Sequence, residues 1–373
     1  MTTHHLQGHW RENTLESLGG VREAPTACVV RYGAFGDMIM ASSVLPLLKA
    51  QGYRVCVNTE PRGMDILKMD PNVDEWFLQE KDQVDARELH EYWDYVSPMF
   101  QKWVNLTGSV EGRCLAQGPR VQQIGGKDRI FPPSADYHLP HDERHAKFDL
   151  NYLEVTHQLA DVPFEHGPRF YATLPERRNA RFLVDRMRNR GVDRVIAWVL
   201  SGSSTHKLYP YMDDAIKIIL VSRPNTGIIF LGSETDAFLA QPWRDERRTT
   251  NRAGKLSIRD TMAVAQLADV VVGPETGVLN AVSMEENRKV VFLSHSSVEN
   301  LTKHWRNTVS ITSNAPCHPC HQLHLSIHEC DLDPNTQMPI CTSLDPVVVA
   351  RAIVGDVVDR VIEPHESVDT VAV

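Results

Sequence analysis

The chain has 373 residues, 42 % of them hydrophobic, more than one ordinary domain needs and enough to bury two cores. Its 39 basic and 48 acidic residues leave a formal charge of −9, so no overall cationic field gathers nucleic acid, and stable nucleic-acid binding is not expected. No apolar run approaches the roughly 20 residues of a membrane span and the first residues lack the apolar centre of a signal peptide, so a cytoplasmic protein with at most peripheral membrane contact is expected.

In chain order, residues 1–26 read as a mobile leader. ACVVRYGAFGD then reads as a buried strand entering a Gly-containing turn, and Asp37 opens MIMASSVLPLLKAQG, a helix ending at Gly52. RVCVNTE is a second strand, Met64 to Met69 a short helix and VDEWFL a third strand, an alternation that predicts a parallel sheet covered on both faces. Residues 105–147 are rich in Gly, Pro, His and charge without a sustained period, and predict long loops on a functional rim.

KFDLNYLEVTHQLADV reads as helix and HGPRFYATLPERR as an extended connector, which puts a domain boundary at 170. The alternation then restarts. RVIAWVL, GIIFLGS, DVVVGPE and KVVFLSH read as strands, MDDAIKIILVSRP and IRDTMAVAQLA as helices, and DPVVVARAIVGDVVDRVI as a closing amphipathic helix before a polar tail. The expected divisions are therefore 27–170, 171–343 and a closing segment 344–373.

Four turns carry the residues suited to chemistry. In RYGAFGD, Gly33 and Gly36 allow close approach of backbone to a ligand, and Asp37 either caps the helix or serves as a general base. VLSGSSTHKLYP offers Ser203, Ser204, Thr205 and Lys207, hydroxyls and one ammonium that suit a diphosphate. GIIFLGSETDA places Glu234 just beyond a strand, where a carboxylate accepts ribose hydroxyls or starts a helix. DVVVGPETGVLNAVS sets Glu275, Thr276, Gly277 and Val278 at a strand-to-helix turn whose backbone N–H groups suit phosphate oxygens.

Taken in order, VVRYGAFGD, TEPRGMDILKMDPNVDEW, SGSSTHKLYP, FLGSETD and IRDTMAVAQLADVVVGPETG resemble the motifs of the heptosyltransferases, glycosyltransferase family nine, over residues 27 to 360. The resemblance implies an α/β GT-B fold, two Rossmann-like domains facing across a cleft, acceptor-binding first and donor-binding second, with the C-terminal helix crossing back to the first domain. It also implies inverting, metal-independent transfer from an ADP-activated heptose, with no catalytic cofactor, to a lipopolysaccharide or other glycan or glycolipid acceptor. By the same matching Asp37 is the catalytic base and Ser204, Thr205 and Lys207 are diphosphate ligands. Glu234 is the ribose contact, Met262 a neighbour of the base, and Glu275 to Val278 the phosphate turn.

This chain departs from the family pattern in having Glu275 for an aspartate and Asn280 where a histidine is usual. A different acceptor, such as a modified DNA base, and a non-catalytic nucleotide-sugar-binding module are the alternatives. A dehydrogenase is disfavoured because RYGAFGD lacks the G-x-G-x-x-G spacing.

Cys317-His-Pro-Cys320, Cys330 and Cys341 form a late cluster, with His318, His321, His324 and His328 beside it. Structural zinc on the four thiolates, reduced packed thiols and disulfides are the three readings.

Overall fold

Alternating apolar strands and capped helices build two α/β units in the computed structural model, which describes residues 1–18, 25–81, 83–85, 87–107, 115–116, 120–124, 127–131, 136, 138–323, 327, 330–355 and 361–362. One unit is Met1–His138 with Leu150–Tyr171; the other is Leu139–Asp149 with Ala172–Val373.

The first unit begins with β1 (Thr2–His5), α1 (Trp10–Ser17), β2 (Thr26–Val30), α2 (Phe35–Ala41) and α3 (Leu45–Ala50). It continues through β3 (Arg54–Thr59), α4 (Pro61–Leu67), β4 (Glu75–Leu78), α5 (Leu89–Val96) and β5 (Lys102–Asn105). The sheet runs β1-β4-β3-β2-β5 with all pairs parallel, so the strand order reverses between β2 and β5. Gly63 lets α4 pack against α2: a Cβ there would stand 2.2 Å from Thr59 Oγ1 and 3.1 Å from Met38 Sδ.

The expected mobile leader is instead an integral part of this unit. β1 pairs with β4 from Thr2↔Glu75 to His5↔Leu78, and Trp10 is 3 % exposed, edge-on to Tyr92. A polar TTHH edge strand is held by backbone hydrogen bonds, which leave no apolar run to read.

The loop expected over 105–147 also contains regular structure: β6 (Leu115–Ala116), the antiparallel hairpin of β7 (Arg120–Ile124) and β8 (Lys127–Phe131), and α6 (His141–Phe148). The helix expected from Lys147 onward is broken, because Asn151 caps a new one, α7 (Tyr152–Leu159), by accepting from the N–H groups of Leu153 and Glu154.

After α6 the second unit continues with α8 (Leu174–Arg188), which begins inside the expected connector. Thr173 and Glu176 form a reciprocal capping box with Pro175 in the first turn, and Glu176 also holds the buried Arg259 at 2.7 Å. There follow β9 (Arg194–Val199), α9 (Met212–Ser222), β10 (Thr226–Leu231), β11 (Thr249–Asn251), α10 (Ile258–Leu267), β12 (Val270–Pro274) and α11 (Gly277–Val282). β13 (Arg288–Phe292), β14 (Thr308–Ile311), β15 (Gln322–Leu323), α12 (Pro346–Val354) and β16 (Val361–Ile362) complete it.

Its parallel sheet runs β11-β10-β9-β12-β13-β14-β16. Ile196, Trp198, Phe230, Val272 and Val290 from these strands meet Ile216 and Ile219 of α9 in one core. Each such side chain contributes about 1.5–3 kcal/mol by leaving water.

The closing helix is shorter than its amphipathic pattern suggested. Asp345 caps its start and Gly355, at φ +88°, ends it. Val349, Ala350 and Ile353 of α12 lie in the core of the second unit, and β16 pairs with β14. The described part of the segment expected to cross back to the first domain is thus built into the second unit. Residues 356–360 and 363–373 lie outside the described residues. Among the described residues no helix is long and apolar enough to cross a membrane.

Candidate functional site

The two loops expected to grip phosphate leave adjacent strands of the second unit. β9 and β12 pair from Val270↔Ile196 to Val272↔Trp198. β10 and β11 lie beyond β9, and β13 to β16 beyond β12. The carboxyl ends of β9 and β12 therefore flank the place where strand order reverses, and open α/β sheets bind ligands there.

Lys207 ends the single turn Thr205–Lys207 and donates from Nζ to the Glu275 carbonyl at 2.8 Å, which ties the first loop to the second. Gly202 sits inside this contact, since a Cβ there would stand 2.5 Å from Lys207 Cδ and 3.2 Å from Thr276 Cγ2. The Thr276 hydroxyl is buried without a hydrogen-bond partner, a polar position of the kind a ligand completes. Ser203 is exposed, and the Ser204 carbonyl accepts from Lys207 N at 3.0 Å. Gly277 and Val278 begin α11 beside them, so these residues and Thr205 occupy one corner of the unit.

Glu275 takes a different part from the one its sequence suggests. Its carboxylate is 7 % exposed and turned inward, accepting from Ser294 N at 3.2 Å and from the Ser296 hydroxyl, with His295 Nδ1 at 3.5 Å. Burial pushes its pKa up, but the His295 and Lys207 charges and the serine hydrogen bonds outweigh burial, and the net shift is downward. Glu275 fixes the turn, leaving the adjacent backbone and Thr276 to face a ligand.

Glu234 is exposed at the start of a 3-10 stretch after β10, and a Cβ on Gly254, which has φ +69°, would stand 2.7 Å from Glu234 Cα. Its neighbour Asp236 does work that the sequence reading missed. It accepts from Ser201 Oγ at 2.6 Å and from Ser233 N at 2.7 Å, bracing the loop after β9 against the loop after β10. The Ser-x-x-Asp spacing of SETD was the available signal. Met262 is wholly buried in α10 and presents no surface to a ligand.

In the first unit, Asp37 is the third residue of α2, and Gly33 turns the chain ahead of it at φ +122°. Asp37 Oδ2 accepts from Ala34 N at 3.0 Å and lies 2.9 Å from Arg31 Nη2. Arg31 is 1 % exposed and donates from Nη1 to Leu106 O at 2.9 Å, across the ends of β2 and β5 where this sheet reverses. Capping and an ion pair with a buried guanidinium both act on Asp37, and Arg31 is a site residue that sequence reasoning passed over. Gly36 is buried in the first turn of α2.

Three solved structures resemble the chain at low sequence identity. A family-nine glycosyl transferase from Veillonella parvula DSM 2008 is 13 % identical, with a TM-score of 0.56 and 89 % of this chain and 98 % of that one covered. The E. coli ADP-heptose lps heptosyltransferase II is 12 % identical, at 0.54, with 88 % and 98 % covered. TibC, an iron-containing dodecameric glycosyltransferase from enterotoxigenic E. coli H10407, is 12 % identical, at 0.53, with 90 % and 76 % covered. The fold is that of family-nine glycosyltransferases. No protein-family model matches the sequence, and no curated protein sequence matches it.

In this family-nine fold the late cysteines lie beside the strand ends just described, where Cys341 shares a small pocket with His206, Lys207 and Ser294. Cys317, Cys320, Cys330 and Cys341 form no disulfide. They lie close enough to affect one another, and burial pushes the Cys320 thiol up to about 12 and those of Cys317 and Cys341 upward too. Cys330 Sγ also meets His206 Nε2 at 3.3 Å, next to Lys207.

Among the described residues the group with ligand atoms all within 4.8 Å of one another is His145, Asp149 and His321, not three of the sulfurs. Tetrahedral zinc would hold thiolates about 3.8 Å apart. Free thiols on all four cysteines do not match the disulfide reading; zinc on thiolates and packed thiols stay as the two readings. His324 and His328 lie outside the described residues.

Proposed function

We propose that the chain is a glycosyltransferase that takes a sugar from a nucleotide-diphosphate donor bound at the carboxyl ends of β9 and β12. The observation that carries this reading is the Lys207–Glu275 carbonyl bond at the strand-order reversal, with the unpartnered Thr276 hydroxyl beside it. One ammonium, hydroxyls and backbone N–H groups are the donor set that a diphosphate requires. An ADP-activated heptose is the favoured donor, on the strength of the motif resemblance and of two structures of the same fold. Their names give ADP-heptose as that of E. coli heptosyltransferase II and ADP as bound to E. coli heptosyltransferase WaaC, whose TM-score is 0.50.

In this mechanism Asp37 takes the proton from an acceptor hydroxyl, on a glycan or glycolipid, while that oxygen forms the new glycosidic bond and the nucleoside diphosphate departs. Lys207 and the N–H groups around Gly277 stabilise the charge that grows on the leaving group. Reaction by in-line displacement inverts the anomeric centre.

The test is calorimetry with ADP, GDP, UDP, CMP and NAD on wild type and on Lys207→Ala, followed by transfer assays with ADP-heptose. Selective ADP binding that weakens in the variant supports the donor site. Binding of NAD alone overturns the transferase reading.

A further inference from the structure

His145, Asp149 and His321 come together one residue beyond the Glu275 turn, since His295, which faces Glu275 at 3.5 Å, also holds His321. His145 and Asp149 are four residues apart at the end of α6, a spacing that places both on one face. His321 arrives from the loop after β14 with its side chain fully buried, held by its backbone N–H to His295 O at 2.9 Å.

The spacing is not that of a hydrogen-bonded network. His145 Nδ1 lies 3.6 Å from Asp149 Oδ2, and His321 Nε2 lies 3.6 Å from Asp149 Oδ1. Both separations exceed hydrogen-bond length, and both ring nitrogens are buried without a hydrogen-bond partner. Ligands about 2.0–2.1 Å from a tetrahedral ion stand about 3.4 Å from one another; here each histidine is 3.6 Å from one Asp149 oxygen, and one ligand atom from each residue can be chosen so that all three lie within 4.8 Å. Asp149 is fixed by a hydrogen bond from the Ser297 hydroxyl, as carboxylate ligands usually are.

We propose that His145, Asp149 and His321 form a binding site for a divalent transition-metal ion of the zinc class, with a fourth position left to water. The half-exposed His145 leaves a route from solvent. The site is independent of the donor reading: it uses none of the residues assigned to nucleotide.

The neighbour Asn300 makes the proposal specific. Its Nδ2 faces His321 Nδ1 at 3.2 Å, while its Oδ1 accepts from Ser297 N at 2.9 Å. An ion on Nε2 requires the proton on Nδ1, so binding must turn the Asn300 amide and break the Ser297 hydrogen bond. An aspartate at 300 would accept from both groups at once and remove that cost.

The test is titration of the reduced, chelator-treated full chain with Zn2+ by calorimetry and with Co2+ by absorption. Expected is one site whose cobalt spectrum lacks thiolate charge transfer and which survives Cys320→Ser. His145→Gln, on the exposed face, weakens it at least about 10- to 100-fold, His321→Ala abolishes it, and Asn300→Asp tightens it. A wild type that takes up no ion, or a site indifferent to both His145→Gln and Asn300→Asp, overturns the proposal; these two variants carry the test should His321→Ala fail to fold.

Discussion

Arg31 and Asp37 are ion-paired at 2.9 Å, with the guanidinium 1 % exposed at the reversal point of the first sheet. The pair gives Asp37 a structural part as well as its proposed chemical one, and a substitution there reports both. Asp37→Asn is expected to lower transfer by about 10²- to 10⁴-fold, the usual worth of a general base. Breaking a buried pair also costs about 3–5 kcal/mol, to be seen as a lower urea midpoint, while nucleotide affinity in the second unit stays constant. Unchanged turnover would remove Asp37 from the chemistry.

Gly202→Ala separates the loop from its lysine. The new Cβ would press on Lys207 Cδ at 2.5 Å, and a lysine stem can swing away at little cost to the fold. Nucleotide affinity is expected to fall about 10- to 100-fold, as for Lys207→Ala, because each removes a charge-assisted contact worth about 1.5–3 kcal/mol. A thermal melt should move little. Wild-type affinity in Gly202→Ala would show that Lys207 does not meet the ligand.

Acid should loosen the second unit through Glu275. Its folded pKa is depressed, so its contribution to stability is complete above the ordinary glutamate value of about 4.3 and is lost as pH falls from there through the lower folded value. Urea melts from neutral pH downward should show this loss. Glu275→Gln should flatten it at low pH while destabilising the protein at neutral pH; an equally steep dependence in the variant would place the effect on other carboxylates.

Removing residues 1–18 should destabilise the first unit. It takes away a sheet strand and the burial of Trp10, worth about 2–3 kcal/mol, and uncovers the edge of β4. A lower urea midpoint with increased self-association is expected, with nucleotide binding retained. An unchanged midpoint would restore the leader reading.

Most strands of both sheets were legible because parallel, doubly covered strands are continuous apolar runs, as in CVV and VIAWV. The strand-end loops were legible for the same reason, since they begin where those runs stop. β1 was not, because its pairing is carried by backbone. Glu275 was placed at its turn, but the inward set of its carboxylate was not legible, since the pull of Ser294, Ser296 and His295 comes from residues beyond β13. His145 lay inside the stretch read as loop and Asp149 in the helix read after it, so their four-residue spacing went unread as one helical signal.

β1 has a further meaning for the order in which the chain is made. Its partner β4 starts at Glu75, so the first strand leaves the ribosome roughly 70 residues before the strand it pairs with. At roughly 5–20 residues per second this is a wait of about 4 to 14 s. Through that interval TTHH must stay unpaired in water, and its threonines and histidines, with no apolar face to bury, are what keep a waiting edge strand from finding another chain first.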